Sequence, residues 1–126
     1  LGARGETFAR SLYKGTAHAE LCGLCDTDED RLEKFCAYCH LTGARRFTDP
    51  AEFFGQREMD AVIITTPDFT HRDVALQAIA ARKHFYLEKP MDVTVDHCRD
   101  LLRAARRSDV RMSALRSPGR CRWRFQ

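Results

Sequence analysis

No stretch of this 126-residue chain approaches the eighteen or so uninterrupted apolar residues of a membrane span. Its first residues carry arginine and glutamate where a secretory leader would have an apolar core, so a cytoplasmic protein with no membrane partner is expected. Proline and glycine are sparse, at four and seven residues, and there is no internal repeat and no Pro/Ser-rich linker. Disordered, collagen-like and low-complexity readings are thereby excluded. What is present is ordinary for a globular domain: 44% hydrophobic and 31% charged residues. A chain of this size buries about two thirds of its unfolded surface, enough for one core but not for a second domain of similar size.

The net charge of +3 raises the question of nucleic acid, which the distribution of charge answers. Residues 1–105 hold 14 Lys+Arg against 17 Asp+Glu, whereas residues 106–126 hold seven arginines and one aspartate. The body is mildly acidic and only the end is basic.

Short apolar segments at Leu21–Cys25, Ala61–Thr65, His84–Leu87 and Val110–Leu115 predict strands buried on both faces. A weaker strand ends at Arg46-Phe47, and Thr48-Asp49-Pro50 opens a brief helix with proline at a tolerated first position. Between the strands lie helical patterns: Phe8 and Leu12; Leu32, Phe35, Cys36 and Cys39; Val74, Ala75, Ala78 and Ile79; Cys98, Leu101, Leu102 and Ala105. Asp28 and Thr94 stand where the second and fourth of these need a capping side chain. Alternating strands and helices predict a doubly wound α/β fold with a parallel sheet, whose ligand crevice lies at the carboxyl ends of the strands.

The chain opens Leu1-Gly2-Ala3-Arg4-Gly5 and runs directly into a helix, like G-x-G-x-x-G without its first glycine and preceding strand. Gly2 would let backbone approach a pyrophosphate, Gly5 would let the helix pack closely on the sheet, and the helix N-terminus would face the phosphates. Asp26, closing the next strand about twenty positions on, would accept from a ribose hydroxyl. A flexible terminus is the plain alternative for these glycines. Thr65-Thr66-Pro67-Asp68, with His71 three residues after Asp68, and Glu88-Lys89-Pro90 argue against it, since both follow strands at their carboxyl ends.

Taken together, GARG, CD, ITTPDFTH and LEKPMDVTVDHC resemble the N-terminal domain of the Gfo/Idh/MocA family, named for glucose-fructose oxidoreductase, inositol dehydrogenase and rhizopine catabolism. The resemblance covers residues 1–118 and implies a Rossmann-like domain lacking its first strand, with 119–126 an arginine-rich tail outside the fold. It implies NAD as cofactor, with NADP the alternative, and a sugar, cyclitol or related polyol as substrate. It also implies an active-site lysine at Lys89, Glu88 and Pro90 beside it in the cofactor pocket, and Thr65, Thr66, Pro67 and His71 bordering the cofactor. Asp68 stands where many members have asparagine. Full-length members are expected to be homo-oligomers.

Chemistry fits the role that the resemblance implies for the lysine, with a solvated surface side chain as the plain alternative. Beside a cationic nicotinamide and partly desolvated, Lys89 would have its pKa lowered toward an acid/base range, and could move a proton from a substrate hydroxyl as hydride leaves the adjacent carbon. His71, opening a helix, either borders the cofactor or simply caps or solvates. Asp26 favours NAD by repelling the extra phosphate of NADP, a preference that Arg31 on the following helix would soften.

Cys22-x-x-Cys25 and Cys36-x-x-Cys39-His40 have the spacing of a zinc site, and the second pair also that of haem attachment. Geometry weighs against both: strand residues three apart point to opposite faces, and Cys36 and Cys39 fall on the inner face of a helix. No metal is expected, and the cysteines should be free thiols.

The missing first strand would lie mid-sheet in the family fold, so its neighbours should present unpaired edges and the chain alone should be unstable or aggregation-prone. The resemblance also implies a second domain, supplying most substrate contacts and a further catalytic histidine, that is not expected within these 126 residues. The end, Gly119 to Gln126, has no α/β pattern. One reading is a shifted reading frame. The other is a nucleic-acid arm, in which Arg116, Arg120, Arg122 and Arg124 meet phosphates and Trp123 stacks on a base. The first is preferred, because the body offers no basic face to extend such an arm.

Overall fold

Capping chemistry sets where the helices begin. The computed structural model describes residues 1–14, 18–41 and 43–114. Helix α1 spans Ala3–Tyr13 behind Gly2, which offers no side-chain cap. Strand β1 (Gly23–Cys25) leads to α2 (Glu29–Cys39), where the Asp28 carboxylate accepts from the Arg31 N–H at 3.0 Å. Leu32, Phe35 and Cys36 form the buried stripe of α2, and His40 ends it in the left-handed region at φ 52°. Strand β2 (Arg45–Phe47) and α3 (Pro50–Phe54) follow, the latter capped by Asp49 with Pro50 at its start.

The second half repeats the alternation. Strand β3 (Ala61–Ile64) passes through a short 3-10 turn (Asp68–Thr70) into α4 (His71–Ala80). Strand β4 (His84–Leu87), α5 (Val95–Arg106) and β5 (Met112–Ala114) complete the described chain. Thr94 caps α5 by accepting from the His97 N–H at 3.2 Å.

All strand pairs are parallel, but they form two sheets: β1 with β2, and β3-β4-β5. Among the described residues no ladder joins β1 to β3, which is where the fold expected from the sequence lacks a strand. Each sheet has its own core. Ala75, Ala78, Leu87 and Leu101 are fully excluded from solvent in one, where the alanines let α4 lie close on the strands. Full burial of Leu87 or Leu101 contributes about 1.5–3 kcal/mol each. Ala9, Leu24, Leu32 and Phe35 centre the other, joining α1 and α2 over β1.

The strands differ from expectation in two respects. While β4 keeps its predicted span, β1 and β3 are shorter and β5 begins later, and Cys22 precedes β1 and is exposed instead of lying within a strand. Nor are they buried on both faces: Val62, Ile64, Phe85 and Leu87 are buried, while Ile63 is 37% exposed and Tyr86 half-buried. Helices α4 and α5 cover one face, whereas over Tyr86 the described residues supply the Phe8 ring of α1, with centroids 5.1 Å apart. Residues 115–126, including Leu115 of the predicted last strand and the arginine-rich end, lie outside the described residues.

Candidate functional site

The carboxyl ends of β1, β3 and β4 bring together four short segments far apart in sequence. The first is the opening turn. Gly2 stands exposed at the head of α1 in extended backbone, offers no side-chain cap, and a Cβ built on it would meet nothing within 4 Å. Gly5, one turn in, is buried: a Cβ there would lie 2.7 Å from Thr65 Oγ1, so only glycine lets α1 approach the end of β3 this closely. Ala3 and Arg4 occupy the exposed side of the same turn.

Asp26 follows β1. Its carboxylate accepts from the Asp28 N–H at 3.0 Å, pairs with the Leu1 amino group, and has Arg31 Nη1 at 3.8 Å. Its side chain is only 11% exposed.

The turn after β3 places Thr65 half-buried and Thr66 and Pro67 exposed. His71, at the start of α4, is 1% exposed. Its Nδ1 lies 2.7 Å from the Pro90 carbonyl oxygen and its Nε2 lies 2.9 Å from that of Thr66. The ring therefore sits between the turn after β3 and the turn after β4, with one nitrogen facing a backbone carbonyl oxygen on each side. Its influence on a ligand would pass through those two turns.

In the turn after β4, Glu88 is buried while Lys89 and Pro90 are exposed, and the Lys89–Pro90 peptide is cis. No hydrogen bond or ion pair holds the Lys89 ammonium among the described residues. The solvent around it means that the desolvation expected for this lysine would have to come from a bound ligand. Glu88 takes the Tyr86 hydroxyl as a donor to Oε2 at 3.2 Å, and Arg4 reaches it from α1 with Nε 3.3 Å from Oε1 and Nη2 3.4 Å from Oε2. Oε1 is nonetheless buried without a well-formed hydrogen bond. Burial first, and the neighbouring Glu88 carboxylate second, push the Tyr86 hydroxyl pKa up.

Asp92 is the residue that sequence reasoning missed. Its buried carboxylate accepts from the backbone N–H of Arg72 and of Thr94, each at 3.2 Å, and meets His97 Nδ1 at 2.8 Å. One side chain thus fastens the N-terminal ends of α4 and α5 beside the Lys89 turn. The available signal was an aspartate two residues ahead of a capping threonine, the spacing of an Asx turn.

The cysteines do not gather. Cys22 is exposed, Cys25 half-buried and Cys36 buried on α2, where burial pushes the Cys25 thiol up to about 11 and raises that of Cys36. Among the described residues no three His, Cys, Asp or Glu side chains cluster as metal ligands, and no helix is long and apolar enough to cross a membrane.

Comparison with known proteins bears on the family and the fold. The chain is 31% identical over 111 residues to an inositol 2-dehydrogenase of Paracoccus denitrificans, covering 88% of this chain and 33% of that protein. It is 32% identical over 111 residues to a glucose-6-phosphate 3-dehydrogenase of Bacillus subtilis, covering 88% and 29%. Its fold matches that of a scyllo-inositol dehydrogenase from Lactobacillus casei, solved with NAD(H) and scyllo-inositol, at a TM-score of 0.81 and 21% identity, covering 90% of this chain and 33% of that one. The chain thus spans about a third of the length of these relatives. The profile of the oxidoreductase family with an NAD-binding Rossmann fold matches residues 1–115, and with nine tenths of its length so matched this chain belongs to that family, Gfo/Idh/MocA.

Proposed function

We propose that this chain is the nucleotide-binding part of an NAD(P)-dependent oxidoreductase that moves hydride between a sugar, cyclitol or related polyol and the nicotinamide. The observation that carries the proposal is the contact between Arg4 and Glu88, which brings the opening glycine turn and the Glu88-Lys89-Pro90 turn together. The open N-terminus of α1 and the under-satisfied Glu88 Oε1 both suit a polar ligand laid between them.

In this reading Gly2, Ala3, Arg4 and Gly5 receive the pyrophosphate, and Asp26 accepts from the adenosine ribose. Thr65, Thr66 and Pro67 border the cofactor, with His71 fixing their turn against Pro90. When bound, the nicotinamide supplies the site that accepts or returns hydride. Lys89, next to Glu88, takes the proton from the substrate hydroxyl. Asp26 favours NAD, since its carboxylate repels a 2′-phosphate, while Arg31 at 3.8 Å softens that preference and leaves NADP as the alternative. The relatives' names support the polyol or sugar class.

Titration of the chain with NADH, followed by nucleotide fluorescence, tests the proposal: saturable binding that Asp26→Ala weakens is expected, and a folded chain that does not bind NADH overturns it. Joined to a substrate domain of the family, Lys89→Ala should lower turnover by about 100-fold or more while cofactor affinity stays within about twofold. Unchanged turnover would remove Lys89 from the chemistry.

A further inference from the structure

We propose that Arg4 is an exchangeable clamp: in the free chain its guanidinium is held by Glu88, and a bound diphosphate draws it away to the N-terminus of α1. The inference rests on the dinucleotide-binding reading above and concerns how the two ends of that site are coupled.

The position of Arg4 is electrostatically wrong for its own helix. It lies in the first turn of α1, where the free N–H groups carry positive partial charge and a cation is disfavoured. Glu88, 84 residues away, compensates incompletely. Its contacts with Arg4, at 3.3 and 3.4 Å, exceed the 2.7–2.9 Å of good charge-assisted bonds, and Oε1 is left buried without a hydrogen bond. The two partners also differ in exposure, the Arg4 side chain being 54% and that of Glu88 8% exposed. The carboxylate is fixed by burial and by Tyr86, whereas the guanidinium is half in water and rests over the Phe8 ring, 5.6 Å from its centroid.

A diphosphate at the head of α1 would present two negative groups to an arginine in that same turn, and the planar guanidinium can grip phosphate oxygens bidentately. Binding would then require the Arg4–Glu88 contact to break. Glu88 competes with the ligand for Arg4, so removing its charge strengthens diphosphate binding instead of weakening it. A purely structural pair predicts the opposite sign.

ADP is the suitable probe, because it carries the diphosphate without the nicotinamide half near which Glu88 lies. By calorimetry on the full 126-residue chain, Arg4→Met should weaken ADP binding by about tenfold. Glu88→Gln, which keeps the shape and an acceptor for Tyr86, should tighten it by about threefold or more. The double variant should match Arg4→Met, since Glu88 acts only through Arg4. NMR of the unaltered chain gives a second readout free of any folding defect in the variants: the Arg4 Nε–H resonance should shift as ADP is added. If NADH and ADP bind but Glu88→Gln leaves ADP affinity unchanged or reduced, or the Arg4 resonance does not move, the clamp is refuted and the dinucleotide reading stands. If the folded chain binds neither nucleotide, both fall.

Discussion

Gly5 and Thr65 meet at the tightest point between α1 and the sheet, and two opposing effects decide what a methyl group would do there. Alanine is favoured over glycine within a helix by about 1 kcal/mol, but overpacking costs about 1–3 kcal/mol. With Thr65 Oγ1 only 2.7 Å from the new Cβ, overpacking wins, so Gly5→Ala should lower thermal stability. In a Thr65→Ala background only the Leu1 side chain, its Cδ2 3.3 Å from the new Cβ, has to give, so the penalty should shrink; a melting-temperature cycle over the four proteins reads the coupling directly. Asp92 makes a pH-dependent contribution. Burial alone would push its carboxyl pKa up, but the bonds from His97 and from the Thr94 and Arg72 N–H groups outweigh that and hold it below the usual carboxylate range. A carboxyl with a depressed folded-state pKa contributes stability above its unfolded pKa and loses it as pH falls through the folded one. The melting temperature should therefore drop on acidification through the carboxylate range, and Asp92→Asn should flatten that slope; identical slopes in both proteins would refute the assignment. Asp92→Ala should cost about 2 kcal/mol near neutral pH. The role of Gly5 was legible because it closes the glycine pattern that opens the chain, whereas Asp92 stayed hidden because its partners are split between the Arg72 N–H twenty residues upstream and the Thr94 N–H and His97 ring just downstream.

At the scale of elements, the positions of α2, α3 and α5 could be read because capping and periodicity agree there: Asp28, Asp49 and Thr94 all accept from the first turn of the helix they precede, whereas α1 and α4 start without a side-chain cap. Strand burial could not be read. A run such as Ala61-Val62-Ile63-Ile64 is apolar at every position whether or not both faces are covered, and only the packing reveals that Ile63 faces the thinner side. This asymmetry bears on local stability. Strand β4 pairs with β3 and β5 and buries Phe85 and Leu87, while β1 pairs along one edge only. Amide hydrogen exchange should therefore be slowest in β4, with β1 and β2 opening earlier. Equal protection in the two sheets would mean that they unfold as one unit, joined by contacts beyond their ladders.

For these 126 residues taken by themselves, the gap between the two sheets decides behaviour in solution. Its placement followed from the doubly wound order, in which a strand belongs between β1 and β3. Among the described residues those two strands turn unpaired edges toward that position, and each unpaired N–H and C=O is a template for another chain. Ile63 adds an apolar side chain, 37% exposed, to the β3 edge. The isolated chain should therefore associate through these edges, with light scattering that rises steeply with protein concentration and a melt that depends on concentration. Ile63→Lys places a charge on the edge strand without touching the core formed by Val62 and Ile64, so it should suppress the scattering while leaving the far-ultraviolet helix signal intact. A basic-tail mechanism predicts something different: association governed by residues 106–126, weakened by salt and indifferent to Ile63. A cooperative, concentration-independent melt of the unaltered chain would refute edge pairing altogether, and would mean that the two cores hold each other closed without a strand between them.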